Sequence, residues 1–364
     1  MNTTRHKAVI ADSRELTVLG DETVDLVVTS PPYPMIHMWD GLFSTMSPEI
    51  KGALEAEHGD AAFELMHQEL DKAWKEIFRV AKEGAVVCIN VGDATRTIGG
   101  KFQLYSNHAR IISSFKKIGF DTLPLILWRK QTNAPNKFMG SGMLPGGAYV
   151  TLEHEYILIF RKNNKRLFTD TSAKEKRMKS SYFWEERNSW FSDVWDLKGV
   201  NQKLGGKELR SRSAAYPFEL SYRLINMYSV KNDVVLDPFL GTGTTLFSSV
   251  ASERNSIGVE LDASFRDFIF NNLRKIEKMS VARLHKRYND HMNFIKEYIS
   301  KKGPTKYTNS NHGFPVVTKQ ETNIELNVVN SLHRDQDQII VRYLPIEEIG
   351  IRNEIQLDLF GSSI

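Results

Sequence analysis

Val234-Val235-Leu236-Asp237-Pro238-Phe239-Leu240-Gly241-Thr242-Gly243-Thr244-Thr245 (VVLDPFLGTGTT) is the stretch from which the chain is best read. An aliphatic run ends in an acid, and a turn with two glycines opens a helix. The run predicts a buried strand. Glycines let the backbone approach a ligand where a side chain would block it. The next predicted strand, 256–261, carries Glu260, 23 residues beyond Asp237. A carboxylate at the tip of such a strand can accept hydrogen bonds from ribose hydroxyls. Together these features predict a nucleoside-binding half-sheet. A phosphate-binding loop is disfavoured, because Thr244-Thr245 follow Gly243 where that loop needs Lys and then Ser or Thr. The alternative, a turn that only caps a helix, does not account for Asp237-Pro238-Phe239 or for the spacing to Glu260.

Outward from this unit, strands and helices alternate. Residues 7–12 (KAVIAD), 24–30 (VDLVVTS), 85–91 (AVVCINV), 122–128 and 156–160 (YILIF) are short apolar runs that predict strands. Residues 63–81 place Phe63, Met66, Leu70, Ala73, Ile77 and Val80 at helical spacing, with Glu83-Gly84 expected to end that helix. Residues 105–118 and the stretch from Ala263 also read as helices. This alternation argues for a mostly parallel α/β sheet. Between Arg161 and Arg212 the periodicity fails, and Lys and Arg mix with Phe168, Tyr182, Phe183, Trp184, Trp190, Phe191 and Trp195. This predicts an inserted domain. Residues 275–302 read as a basic amphipathic helix, 303–315 as a linker, and the remainder as a small appendage.

The 364 residues suggest about two domains, and 41% hydrophobic with 25% charged residues is ordinary for a globular enzyme. No apolar run reaches the roughly 18 residues of a membrane span, and the N-terminus lacks a signal-peptide core. Cys88 is the only cysteine, so intramolecular disulfides and cysteine-rich metal sites are excluded. No clustered metal ligands are seen. Net charge is only +4, but residues 1–100 hold 9 Lys and Arg against 16 Asp and Glu, whereas 161–212 hold 14 against 7. The basic middle is a candidate polyanion surface, with Lys174, Lys176, Arg177 and Lys179 as its densest cluster.

The second chemistry-bearing segment is Ser30-Pro31-Pro32-Tyr33, at the end of the second predicted strand. Two prolines fix the backbone and present carbonyls outward. An exocyclic amine needs acceptors for its hydrogens, and Ser30 Oγ with the Pro31 carbonyl can supply them. Tyr33 offers an aromatic face to a base.

Both segments resemble motifs of the amino-group DNA methyltransferases, which make N4-methylcytosine or N6-methyladenine. Asp237 to Gly243 resembles the cofactor motif of that family, and residues 30–33 its catalytic motif. Residues 254–260 resemble the segment around its ribose-binding acid, 215–225 (AYPFELSYRLI) the helix before its cofactor strand, 8–16 its opening strand with Asp12, and 153–162 (EHEYILIFRK) a late strand. The resemblance covers about residues 7–275. With the catalytic motif first, it is most similar to the circularly permuted β group. The resemblance implies a Rossmann-like S-adenosylmethionine-dependent fold with a seven-stranded, mostly parallel sheet. The catalytic half of the methyltransferase domain would be 1–162 and its cofactor-binding half 215–275, with a target recognition region at 163–214 and a helical extension and appendage at 276–364. It implies S-adenosyl-L-methionine held by Asp12, Asp237, Pro238, Phe239, Gly241, Gly243, Thr244 and Glu260. It implies catalysis by Ser30, Pro31, Pro32 and Tyr33 on a base flipped out of double-stranded DNA. Methylation at cytosine C5 would need a nucleophilic cysteine, and Cys88 lies in a predicted buried strand. Ser at the first motif position goes, in the family, more often with N4 of cytosine, and Asp with N6 of adenine. N6 of adenine, an RNA substrate, and an inactive DNA-binding protein are the alternatives.

The resemblance further implies a cytoplasmic enzyme of a bacterium or archaeon, acting in a restriction-modification system beside a cognate endonuclease. His37-Met38-Trp39-Asp40 is expected to line the base pocket or to pack as an ordinary loop. Trp128-Arg129-Lys130 is expected to touch phosphate or to end a strand, and residues 140–147 to close over DNA or form a surface turn. Near the end, Gln356-Leu357-Asp358-Leu359-Phe360 resembles the peptide by which bacterial DNA-handling proteins bind the replication sliding clamp. Docking of that tail on the enzyme's own surface, or in a dimer contact, is the other reading.

Overall fold

A computed structural model describes residues 2–131, 139–140, 143–199 and 216–349. Its principal strands are β1 (Asn2–Ile10), β2 (Val24–Thr29), β3 (Ala81–Val91), β4 (Phe120–Gln131), β5 (His154–Lys162), β6 (Val194–Lys198), β7 (Val234–Asp237), β8 (Asn255–Glu260), β9 (Asn327–Asp335) and β10 (Gln338–Pro345). Its principal helices are α1 (Gly59–Val80), α2 (Asn107–Ile118), α3 (Thr171–Lys179), α4 (Trp184–Trp190), α5 (Phe218–Tyr228), α6 (Thr244–Ala251), α7 (Ala263–Asn271) and α8 (Leu273–Lys302). The chain packs as two compact units: Ala11–Lys165 with Ser192–Leu220, and Met1–Ile10 with Arg166–Phe191 and the chain from Ser221 onward.

The first unit holds strands in the order β6-β4-β5-β3-β2. β2 runs parallel to β3 and β4 to β6, while β5 is antiparallel to both its neighbours. Every residue of β2 is buried, which fits its aliphatic run Leu26-Val27-Val28, and the buried Asp25 is paired with Lys82. Met66, Leu70, Ala73, Trp74, Ile77 and Val80 form the buried face of α1. Glu83-Gly84 does not separate helix from strand as expected. β3 starts directly at Ala81, and Gly84, at φ 76°, lies where the pairing with β2 shifts register between Val24 and Leu26. The glycine forms a bulge, a use for which its positive φ suits it. Cys88 is fully buried in β3, and burial pushes its thiol well above the ordinary range.

The second unit holds the order β7-β8-β1-β10-β9. β7, β8 and β1 are parallel, and β10 is antiparallel to β1 and to β9. The C-terminal hairpin expected as an appendage is thus a continuation of the sheet: Asn2 to Lys7 of β1 pair with Tyr343 to Gln338 of β10. The stretch 303–315 is not a loose linker. The buried Asn309 amide donates to the Glu321 and Ile324 carbonyls, and its Oδ1 accepts from the Asn311 and His312 amides. The basic middle region forms no unit of its own among the described residues, because its first part clusters with one unit and its last part with the other. Phe183, Trp190 and Trp195 are core residues. Phe183 packs with Leu284, Phe314, Val316, Ile324 and Leu326. Trp184 and Phe191 remain exposed. No helix among the described residues is long and apolar enough to cross a membrane, and they contain no cluster of metal-ligating side chains.

Candidate active site

The glycine turn is built in the second unit. Asp237 closes β7, is 3% exposed, and spends its carboxylate on the turn: Oδ1 accepts from Phe239 N at 3.1 Å and Oδ2 from Thr245 Oγ1 at 2.6 Å. Gly241 and Gly243 adopt φ of 52° and 86°, conformations that cost most side chains strain. At Gly243 a Cβ would lie 2.8 Å from Ile269, whereas nothing lies within 4 Å of one at Gly241. Space is therefore open on the Gly241 side of the turn. Glu260, ending β8, ties the turn to the neighbouring strand. Its Oε2 accepts from Gly241 N at 2.8 Å and its Oε1 from Leu261 N and Asp262 N at 2.9 and 3.1 Å. Burial raises its pKa against the pull of those amides. Gly258 lets Leu240 lie across β8, since a Cβ there would come within 2.4 Å of the leucine methyls. Pro238 and Phe239 form the turn between Asp237 and Leu240, and Thr244 opens α6.

The Ser-Pro-Pro-Tyr segment is built in the first unit, directly after β2. Pro31, Pro32 and Tyr33 are buried, and Ser30 is partly exposed. Ser30 Oγ and Tyr33 Oη are 2.9 Å apart. The tyrosine hydroxyl turns inward to Glu155 Oε2 at 3.2 Å, with Asn90 Nδ2 donating to it at 2.9 Å and to Glu155 Oε2 at 2.6 Å. Lys130 pairs with the other carboxylate oxygen. Burial and the Glu155 charge push the Tyr33 phenol well above its ordinary pKa, so it stays protonated. Tyr33 is 7% exposed, so stacking on a base needs ring surface that this conformation largely covers. Asn107 Nδ2 braces the segment by donating to the Pro34 and Gly92 carbonyls, and its Oδ1 meets His67 Nε2. Burial lowers the His67 pKa to about 4.

Asn90, Asn107 and Glu155 are therefore parts of this site that the motif reading missed. One signal was available: Asn90 is a polar residue inside an otherwise apolar strand, and such a residue is retained where it has a partner. Nothing in local spacing marks Asn107 or Glu155.

Other expected residues find protein partners. Asp12 is held by Arg14, whose guanidinium also reaches Glu69 and lowers the Asp12 pKa. Arg96 grips Asp40 through both terminal guanidinium nitrogens, Nη1 and Nη2. Arg129 pairs with Asp196, and Trp128 is buried in β4. Lys174, Lys176, Arg177 and Lys179 lie on α3, which has no buried residue. Arg177 stacks on Phe168, and Lys179 reaches Glu325. The structure thus gathers residues 30–33 in one unit with Asp12, and Asp237, Pro238, Phe239, Gly241, Gly243, Thr244 and Glu260 in the other. Residues 356–360, and part of 140–147, lie outside the described residues.

The strand-acid-glycine turn with a second acid one strand away, and the Ser-Pro-Pro-Tyr segment after another strand, are the two features on which the resemblance to amino-group DNA methyltransferases rests. Comparison with known proteins agrees. A DNA methylase family model covering amino-group N6 and N4 enzymes matches residues 24–272. The type II methyltransferase M.MthZI of Methanothermobacter thermautotrophicus is 54% identical over 325 residues, 89% of this chain and 90% of its own. M.MjaI of Methanocaldococcus jannaschii, also a type II methyltransferase, is 48% identical over 278 residues, 73% of this chain and 90% of its own. Among solved structures, a putative DNA modification methylase of Thermus thermophilus, complexed with S-adenosyl-L-methionine, aligns with a TM-score of 0.58 at 30% identity, covering 74% of this chain and 94% of that one. The chain belongs to the DNA methylase family, and its α/β fold is the methyltransferase fold that the sequence resemblance implied.

Proposed function

We propose that this chain transfers a methyl group from S-adenosyl-L-methionine to the exocyclic N4 of cytosine in double-stranded DNA, as the modification enzyme of a restriction-modification system. The observation that carries the cytosine assignment is Ser30, a neutral and partly exposed acceptor at the head of the motif after β2. The type II names of the two archaeal relatives support the restriction-modification setting.

The turn fits the cofactor: it is open at Gly241, carries an acid at the adjoining strand end, and is held in one shape by Asp237 and Glu260. When bound, S-adenosyl-L-methionine supplies an electrophilic methyl on a sulfonium. The protein's own contribution is placement. Ser30 Oγ and the Pro31 carbonyl accept the two amine hydrogens, which turns the nitrogen lone pair toward the methyl, and holding two reactants in line is itself a large part of catalysis. The base reaches the site by flipping out of the helix. The basic helix α3, which carries Lys174 and Lys176, meets the DNA backbone within the recognition region 163–214. The reading extends to a cytoplasmic enzyme with a cognate endonuclease, and to a sliding clamp reached through residues 356–360.

Methylating plasmid DNA with the protein and cofactor, digesting it to nucleosides and identifying the product by mass spectrometry tests the assignment. N4-methylcytosine is expected. N6-methyladenine alone would replace cytosine by adenine and leave the family membership standing.

A further inference from the structure

The donors and acceptors behind Ser30 favour one direction for its hydroxyl hydrogen. Asn90 Nδ2 lies 2.6 Å from Glu155 Oε2. At that distance only an N–H can face a carboxylate oxygen, which settles the orientation of the amide. Its other hydrogen goes to Tyr33 Oη at 2.9 Å. Tyr33 has a single proton of its own. Inside the protein that proton has two acceptors with nothing to donate, Glu155 Oε2 at 3.2 Å and the Asn90 carbonyl at 3.4 Å. Glu155 remains an acceptor because Lys130 pairs with it. The phenol is kept protonated by burial and by the Glu155 charge. With the tyrosine proton committed inward, the 2.9 Å contact between Tyr33 and Ser30 can be a hydrogen bond only if Ser30 donates.

We propose that Glu155 is a positioning residue for methyl transfer, acting through Tyr33 to turn the Ser30 hydroxyl hydrogen inward and leave the oxygen lone pairs facing the substrate amine. The inference rests on Ser30 being the amine acceptor, and it adds the reason a hydroxyl, which can donate as readily as accept, behaves there as an acceptor only. Glu155→Leu keeps the bulk and removes the acceptor on which Tyr33 and Asn90 converge. The Tyr33 proton then turns to Ser30, and the Ser30 hydrogen is driven out toward an amine that already presents hydrogens.

Neutron diffraction of the deuterated wild-type protein reads the polarity directly. Deuterium on the Tyr33-to-Glu155 side, with the Ser30 deuterium on the line to Tyr33, is expected. A Tyr33 deuterium directed at Ser30 would overturn the proposal whatever any variant does. Kinetics supply the second arm. Glu155→Leu should lower kcat by roughly 10- to 100-fold, the loss expected when a buried acceptor is removed, with KM for the cofactor little changed. In a Tyr33→Phe background, which removes the messenger, Glu155→Leu should cost less than about twofold more. An equal loss in both backgrounds would make Glu155 a structural residue only, and wild-type kcat in Glu155→Leu would also refute the proposal. Ser30→Ala separates the two levels of inference. If it leaves kcat intact, the catalytic assignment of the motif fails. If it lowers kcat while Glu155→Leu does not, only the role of Glu155 fails.

Discussion

Replacing Glu260 by Gln is nearly isosteric, yet the geometry makes it a severe change. Oε1 takes two backbone amides, Leu261 and Asp262, and Oε2 takes one, Gly241. A glutamine has one carbonyl oxygen, which remains with the pair of donors. Its NH2 then faces Gly241 N–H across what was a 2.8 Å hydrogen bond, donor against donor. The missing charge-assisted bond is worth about 1.5–3 kcal/mol, and a stranded amide costs about 1–3 kcal/mol more. Relief from burying a charge, the cause of the raised Glu260 pKa, offsets part of this. A net of about 1–3 kcal/mol on the glycine turn corresponds to roughly 5- to 150-fold in cofactor affinity, before any interaction with ribose is counted. Calorimetric titration with S-adenosyl-L-methionine at about pH 7.5 measures it. The pH dependence supplies a signature. Because the folded pKa is raised, the carboxyl protonates above the usual glutamate range as pH falls. Wild-type cofactor affinity should therefore decline there while fold stability gains slightly, since a raised acid favours the folded state below its pKa. Glu260→Gln should show neither effect. Affinity within twofold of wild type in Glu260→Gln would refute the claim that this carboxylate holds the turn.

Two further outcomes are expected. Lys174→Glu with Lys176→Glu should weaken DNA binding and flatten the plot of log affinity against log salt by about 0.9 for each phosphate no longer neutralised. These two are better probes than Arg177 and Lys179, which are engaged with Phe168 and Glu325, and an unchanged salt slope would remove α3 from the interface. Acid stability should fall early. Burial lowers the pKa of His6 from 6.5 to about 3 and that of His67 to about 4, so below pH 6.5 the unfolded chain binds protons that the folded one refuses. Each histidine then removes up to about 1.4 kcal/mol per pH unit as pH falls from 6.5 toward those values. A melting temperature that is flat from about pH 7.5 to 5 would show that neither stays neutral.

The strands were readable because burial on both faces leaves a mostly apolar record, as in residues 26–28 and 85–89. The glycine turn was readable because its two positive-φ positions demand glycine. What escaped the sequence is non-local. Glu155 acts on a residue 122 positions away, and no periodicity records that. The C-terminal hairpin was misjudged for a related reason: its partner β1 is at the other end of the chain, so the alternation of Ile339, Val341 and Tyr343 looked like a small detached element. In the basic middle, aromatic side chains mixed with Lys and Arg predict an inserted domain, yet Phe183, Trp190 and Trp195 are core residues of the two units. Composition counts aromatics but cannot tell which face the core.

Asp237 shows why weakened cofactor binding in a variant does not by itself identify a residue that touches the cofactor. It is 3% exposed, and its two oxygens accept from Phe239 N and Thr245 Oγ1. The carboxylate holds the ends of the turn together. Its removal would therefore disturb the site even if no cofactor atom touched it. Thr245→Val separates the two roles. The substitution deletes one donor to Asp237, leaves the charge in place, and changes a side chain that is 1% exposed. The cost to the turn is about 1.5–3 kcal/mol, the value of a hydrogen bond to a charged group. If Asp237 acts by shaping the turn, Thr245→Val should reproduce at least half of the logarithmic affinity loss of Asp237→Asn in calorimetric titration with the cofactor, with a matching fall in melting temperature. If Thr245→Val binds the cofactor as tightly as wild type while Asp237→Asn does not, the carboxylate touches the ligand directly, and the turn is held well enough by its glycines and by Glu260.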